Sequence, residues 1–281
     1  MATLNARIAQ FYDQSSPLWL RVWGEHMHHG YYGADGKREV NHQQAQLELV
    51  SQVLRFADPG EPKRILDAGC GVGGSARLLA LRYGAEVVGL TLSPVQAQRG
   101  NAYSEEAGLL DTVDILAQDM MTYEDGEGFD FIWSLESAEH LPDKRGLLEK
   151  FWSLLQPGGT LSLVTWCHRE TPPALTAQEN ELLDDICRLY HLPPWCSIGE
   201  YERLAAEVGY RDIRAADWSD AVAPFWGAVI RSAMSWKSVV GLLRAGPGTL
   251  KGAWAMRYMQ AGFRQNLVRF GVLRMTKPAA G

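Results

Sequence analysis

Short apolar runs alternate with amphipathic stretches through the middle of the chain. Ile65-Leu66, Glu86–Thr91, Val113–Ala117, Phe129–Ser134 and Thr160–Trp166 read as buried strands. Between them, the stretch opening at Ser75, the Ser93-Pro94 start and residues 144–155 have helical spacing, with serine as N-cap and proline at the first helical position. The repeated strand-helix pattern predicts a parallel sheet covered by helices. Residues 156–159, Gln-Pro-Gly-Gly, read as a sharp helix-to-strand turn. Asp212–Trp218 and Phe270–Met275 add a sixth and a closing strand, so the expected sheet is seven-stranded and α/β. Residues 176–190, 199–209 and 223–263 are expected helices. So are 4–22, with Ile8, Phe11, Tyr12, Leu18 and Trp19 as apolar contacts, and 41–56. In 41–56, Leu47, Val50 and Leu54 form one stripe beside Leu49, Val53 and Phe56, and Asp58-Pro59-Gly60 ends the helix.

Composition narrows the function classes. With 281 residues and 46% hydrophobic content the chain suffices for one large domain or a domain with a cap. A net charge of −6 without a lysine or arginine run argues against nucleic acid as partner. Cys70, Cys167, Cys187 and Cys196 form no C-x-x-C pair and read as reduced thiols of an intracellular protein. The N-terminus has no apolar signal core and the sequence no run of about 18 apolar residues, so a soluble or at most peripheral protein is expected.

The first strand runs into Asp67-Ala68-Gly69-Cys70-Gly71-Val72-Gly73-Gly74, an acid and four glycines ahead of a helix. Glycines there let a ligand lie against bare backbone, and the helix N-terminus adds free N–H groups. Gly69, Gly71 and Gly74 satisfy the dinucleotide pattern G-x-G-x-x-G. That site expects an acid closing the second strand, where this chain has Thr91. The acid precedes the first glycine instead. Asp67-x-Gly69-x-Gly71-x-Gly73 resembles motif I of class I S-adenosylmethionine (SAM) methyltransferases, in which it faces the methionine and ribose end of SAM.

Other segments carry candidate chemistry, each with a plainer reading. Trp23-Gly-Glu-His26-Met-His28-His29-Gly-Tyr31-Tyr32 suits a flat or cationic ligand held over rings, or an aromatic helix cap packed on the core. Its histidines are not read as a metal site, because no second His or Cys cluster completes one. Thr91, Leu92 and Gln96 lie where a ribose would sit. Asp119 can accept from an adenine amine, with Met120 padding the ring, or cap a helix. The loop after the fourth strand lies beside the expected topological switch and holds Glu136, Glu139 and His140. There His140 is either a base titrating near neutrality or a helix cap. Phe225, Trp226, Met234, Trp236, Trp254, Met256, Met259 and Phe263 line an apolar acceptor pocket or form a well-packed cap. Arg231, Lys237, Arg244, Lys251, Arg257, Arg264 and Arg269 make that half locally basic, for a membrane surface or as solvated charges.

Taken together, these motifs resemble the γ-tocopherol C-methyltransferase family of class I SAM-dependent methyltransferases. The resemblance runs nearly end to end. It covers Phe11-Tyr12-Asp13, the histidine-rich segment, Leu66–Gly71, Thr91–Gln96, Trp133–His140, Val164-Thr-Trp-Cys-His-Arg169, Ala216-Asp-Trp-Ser219 and Ala223-Pro-Phe-Trp226. Indole-alkaloid N-methyltransferases share the group, so the acceptor and the oligomeric state stay open. The resemblance implies a Rossmann-like, mostly parallel sheet with helices on both faces. One domain is then divided into an N-terminal helical lid (1–56), a SAM-binding core (60–167) and a C-terminal part (168–281) with a substrate cap at about 220–264. It implies SAM contacts from Tyr12, Trp23, His28, Asp67, Gly69, Cys70, Gly71, Thr91, Leu92, Gln96, Asp119, Met120, Ser134 and Leu135. Acceptor contacts would come from His29, Tyr31, Trp166, Phe225 and Trp226. The base would be His140, oriented by Glu139 or Glu136, with His28 or His29 as second choice. A cytoplasmic or thylakoid-associated place and an apolar tocopherol-like substrate complete the expectation.

Overall fold

The structure, a computed structural model, describes residues 24–233 and 247–279. Its seven strands are β1 (Arg64–Ala68), β2 (Glu86–Thr91), β3 (Val113–Ala117), β4 (Phe129–Leu135), β5 (Leu155–His168), β6 (Arg211–Asp217) and β7 (Val268–Thr276). They form one sheet in the order β3-β2-β1-β4-β5-β7-β6. The β1, β2, β3, β4 and β5 pairings are parallel, and β7 runs antiparallel to both β5 and β6. Chain order reverses between β1 and β4, and ligands of such sheets collect beyond the carboxyl ends of the strands at that point.

The helices are α1 (His42–Ala57), α2 (Gly74–Tyr83), α3 (Pro94–Glu106), α4 (Lys144–Leu154), α5 (Ala177–Tyr190), α6 (Ile198–Val208), α7 (Ser219–Val222), α8 (Pro224–Ala233) and α9 (Pro247–Arg264). Side-chain caps set their starts: Asn41, Ser93, Asp143 and Ser197 each accept an N–H three residues on, and Thr176 with Glu179 forms a capping box. The sheet's period-2 alternation feeds two apolar layers. Phe131, Trp133, Val164, Trp166, Phe270 and Val272 face one side. Ile132, Leu161, Leu163, Leu273 and Met275 face the other.

Four expectations need correction. β5 begins at Leu155, because residues 156–159 form an irregularity in its pairing with β4 rather than a separate turn. The 223–263 stretch divides into α8 and α9, preceded by the short α7. Of the expected apolar positions in α1, Leu49, Val50, Val53 and Leu54 are buried, while Leu47 is exposed. That helix packs into the core, so of the expected 1–56 lid only Glu25–His28 border the ligand end among the described residues. The 4–22 helix, Tyr12, Trp23, Met234 and Trp236 lie outside the described residues.

Candidate active site

The glycine turn closes β1 against its neighbours. The N–H groups of Gly69 and Cys70 both donate to the Leu90 carbonyl, at 3.0 and 2.9 Å, which ties the turn to β2. Gly69 and Gly71 have φ of 90° and 57°, the left-handed region that favours glycine. They differ in what surrounds them. A Cβ on Gly69 would lie 2.3 Å from the Ser137 Cβ, whereas a Cβ on Gly71 meets nothing within 4 Å and projects into open space. That space is a cleft bordered by Asp67, Thr91, Asp119 and Leu135, beyond the carboxyl ends of the strands at the switch point where a nucleoside-type ligand is expected.

Asp67, next to last in β1, lies at the cleft floor and is 2% exposed. Its Oδ2 has no hydrogen-bond partner among the described residues. Burial lifts its carboxyl to about 7, against the pull of the Ala76 N–H and Arg77. A buried acceptor without a donor calls for a ligand that supplies one. The opposite wall is the segment Glu25–His28. Gln46 of α1 donates to the His26 carbonyl and, at 3.0 Å, to that of His28. Arg77 of α2 pairs with Glu25 and also donates to the Val72 carbonyl at 2.9 Å, tying the segment to the glycine turn. Burial lowers His26 to about 3, helped by His28 and Arg77, and burial also lowers His28. The imidazoles facing the cleft are therefore neutral near pH 7 and do not repel a sulfonium cation.

The ends of β2 and β3 complete the floor. Thr91 donates to the Gln96 Oε1 at 2.7 Å, a polar pair where a dinucleotide site would carry an acid. Asp119 and Met120 line the cleft, and one Asp119 oxygen also takes the Met121 N–H at 2.9 Å. No helix follows Asp119, so the bond closes a turn rather than capping a helix, and the side chain still borders the cleft. Of the implied SAM contacts, His28, Asp67, Gly69, Cys70, Gly71, Thr91, Leu92, Gln96, Asp119, Met120 and Leu135 border one cleft. Ser134 does not. It is buried under the floor, with its Oγ 2.9 Å from the Ser137 Oγ, because its place in β4 turns it inward. A polar floor with an unsatisfied carboxylate, a bare glycine and neutral histidines fits SAM. Asp67 and Gln96 would take hydroxyl or ammonium donors, and Gly71 would give the backbone approach.

Glu136 follows β4 at φ 51°, a left-handed conformation that non-glycine residues avoid. Its carboxylate accepts the His29 N–H at 2.6 Å, the His29 Nδ1 at 2.8 Å and the Trp166 Nε1 at 3.0 Å. Burial pushes its carboxyl up, but electrostatic attraction to the His29 ring, the hydrogen bonds from His29 and the nearby His28 outweigh it, and the carboxyl ends below its usual range. Glu136 therefore anchors His29 rather than His140. Glu139 also departs from its expected role. It is 2% exposed, accepts from the Thr165 hydroxyl at 3.1 Å, and does not line the cleft. Burial and nearby Glu136 lift it to about 8, so it is uncharged at neutral pH.

His140 ends a short 3-10 turn, Ala138–His140, and lines the cleft. Asp143, not His140, caps the next helix. The Lys144 ammonium holds the turn, donating to the carbonyls of Ala138 at 3.1 Å and Leu141 at 2.5 Å. Burial and the Lys144 charge lower His140 to about 4. Roughly one molecule in a thousand would then carry the proton at pH 7, which suits a neutral cleft wall better than a proton acceptor.

Tyr31 falls outside the site: its ring packs on Trp218 at 5.5 Å and its N–H bonds to the Ala45 carbonyl. Trp166, Phe225 and Trp226 pack around His29 as buried core, so the described part of the cap is closed rather than a wide pocket. Gln46, Arg77 and Ser137 hold the site together without bearing a motif of their own in the sequence. A polar residue within the apolar face of α1 was the available signal for Gln46; Ser137 and Arg77 carry none.

The sheet order, the glycine turn and the cleft at the switch point are those of a class I methyltransferase, and the Methyltransferase domain family matches residues 40–215. Tocopherol O-methyltransferase, chloroplastic, of Arabidopsis thaliana is 43% identical over 98% of this chain and 83% of that protein. Norajmaline N-methyltransferase of Rauvolfia serpentina is 30% identical over 99% of both. The cyclopropane synthase MmaA2 of Mycobacterium tuberculosis shares the fold at a TM-score of 0.84 with 19% identity, covering 96% of this chain and 98% of that one. The chain belongs to the SAM-dependent methyltransferase family that includes the tocopherol O-methyltransferases.

Asp67 should make SAM binding depend on pH. A cation binds best to the ionised carboxylate, and protonation below about pH 7 competes with it. Affinity should be flat above pH 8 and fall by up to about tenfold per unit as pH drops below 7. Calorimetric titrations from pH 5.5 to 8.5 check this, with Asp67→Asn expected to be weak and flat throughout.

Proposed function

We propose that this enzyme methylates the chromanol ring carbon ortho to the phenol of a tocopherol, converting γ- to α- and δ- to β-tocopherol. The observation that carries the reading is the near full-length 43% identity to the Arabidopsis tocopherol enzyme. SAM, when bound, supplies an electrophilic methyl on a sulfonium. The chain's part is to orient the acceptor ring at the Glu136–His140 end of the cleft, exclude water and take up the phenolic proton. Holding reactants aligned is worth several kcal/mol, up to about 7–11 in well-oriented cases. Glu25–His28 act as the cover, residues 60–167 as the cofactor core, and α8 with α9 as the acceptor cap.

Phe225, Trp226, Met256, Met259 and Phe263 make the interior of that cap apolar, which matches the chemistry of a prenyl or phytyl tail once the packed rings part to admit it. Such a substrate resides in membranes, and the relative is a chloroplast protein, which supports a plastid enzyme in peripheral contact with thylakoids. Arg257 and Arg264 are exposed on α9 and suit an anionic surface. Among the described residues no helix is long and apolar enough to cross a membrane. The test is a series of γ-chromanols with shortening tails. Each buried methylene contributes roughly 0.8 kcal/mol, so KM should climb steeply as the tail shortens while kcat changes less. Indifference to tail length, with efficient methylation of a compact indole amine, would favour the N-methyltransferase reading instead.

A further inference from the structure

We propose that His29, held by Glu136, is the catalytic residue that receives the acceptor's phenolic proton, in a polar site completed by the Tyr190 hydroxyl and the Trp195 indole N–H. The inference rests on the phenol-methylating reading above and adds where the proton goes. The carboxylate of Glu136 can only accept, so the His29 Nδ1 bonded to it carries hydrogen. The other ring nitrogen, Nε2, is buried and has no hydrogen-bond partner among the described residues. The Tyr190 hydroxyl and Trp195 Nε1 are unpartnered in the same way. All three rings pack on Trp166, with centroids at 5.7, 5.8 and 5.7 Å, and Trp166 is itself bonded to Glu136.

Three unsatisfied buried polar atoms around one hub are costly without a ligand. Left-handed Glu136 adds strain of the kind that collects at functional sites. The ligand class follows from the groups: an apolar ring with one hydroxyl that can donate to Nε2 and accept from Tyr190 or Trp195. Glu136 forms the shared wall, lining the cleft on one side and holding His29 on the other. His29 is 1% exposed, so the acceptor reaches it by parting the rings of α8 and α9 that cover it. Its titratable neighbours are Glu136, His28 and Tyr190, whose hydroxyl burial pushes well above its usual range; the covering rings Phe225, Trp226, Phe263 and Phe270, and Trp166 beside them, carry no charge.

The step balances. The phenol O–H proton moves to Nε2 as the oxygen becomes a carbonyl and the ortho carbon forms its bond to the methyl. The sulfonium's S–C bond breaks with its electron pair left on sulfur. The methylated ring carbon then loses its hydrogen to solvent and His29 returns its proton to the oxygen, so one proton is released overall.

The experiment pairs binding with turnover in wild type, His29→Asn, Glu136→Gln and Tyr190→Phe. In the cofactor-free protein, calorimetry compares a tail-free γ-chromanol with its phenolic methyl ether. Wild type should prefer the phenol at least tenfold, Tyr190→Phe less so, and His29→Asn not at all. Turnover on γ-tocopherol should fall at least 100-fold in His29→Asn with SAM affinity within threefold, and recover partly toward pH 10 as the phenol ionises unaided. Glu136→Gln should lie between. Equal phenol preference in wild type and His29→Asn, or turnover within threefold of wild type, would overturn the proposal. If wild type itself leaves γ-tocopherol unmethylated, the tocopherol reading fails separately, and phenol preference alone decides the dyad.

Discussion

Gly71→Val should lose SAM affinity by at least 100-fold while the protein stays folded. The substituted side chain meets no protein atom, because a Cβ there has nothing within 4 Å. It occupies the cleft beside Asp67, where the ligand must approach the main chain. Left-handed backbone at φ 57° costs a branched residue about 1–2 kcal/mol, which a folded domain of this size tolerates. Calorimetry with SAM and a thermal melt separate the two effects. Normal affinity in a folded variant would move the cofactor away from the glycine turn.

Gly69→Val, two residues earlier, should fail differently. Its Cβ would sit 2.3 Å from that of Ser137. Ser137 cannot retreat freely, since its Oγ donates to the Ala68 carbonyl at 2.6 Å and lies 2.9 Å from the Ser134 Oγ. Overpacking costs about 1–3 kcal/mol, and strain at φ 90° adds to it. The melting temperature should drop by roughly 5–15 °C, with a loss of soluble protein. The loop bearing Glu136 and His140 moves with Ser137, so turnover should fall even in molecules that stay folded. A melt within two degrees of wild type would show that this contact does not hold the loop.

The contrast shows what the sequence can and cannot convey. The apolar runs and the Asp67–Gly74 turn placed the strands, the cleft floor and the cofactor end, because local spacing and turn chemistry decide those. The same turn gave no hint that Gly69 makes room for Ser137 while Gly71 makes room for a ligand. Glu136 and His29 are 107 positions apart, so their contact has no spacing signature. The resemblance implies that Glu139 orients His140, yet the 3-10 turn sends Glu139 inward to Thr165 and leaves His140 on the cleft. Tyr31 shared the aromatic composition of the histidine segment, but its backbone bond to Ala45 turns it toward Trp218.

The central claim is methyl transfer from SAM to the aromatic carbon ortho to a phenol, and product analysis tests it most directly. The purified protein is incubated with methyl-labelled SAM and, separately, γ-tocopherol, α-tocopherol and an indole amine, and the products are located by mass and NMR. The predicted result is label on the ring carbon of γ-tocopherol, none on α-tocopherol, whose ortho carbons are already methylated, and little on the amine. Label on nitrogen or on the phenolic oxygen, with the γ-tocopherol ring carbon untouched, would contradict it.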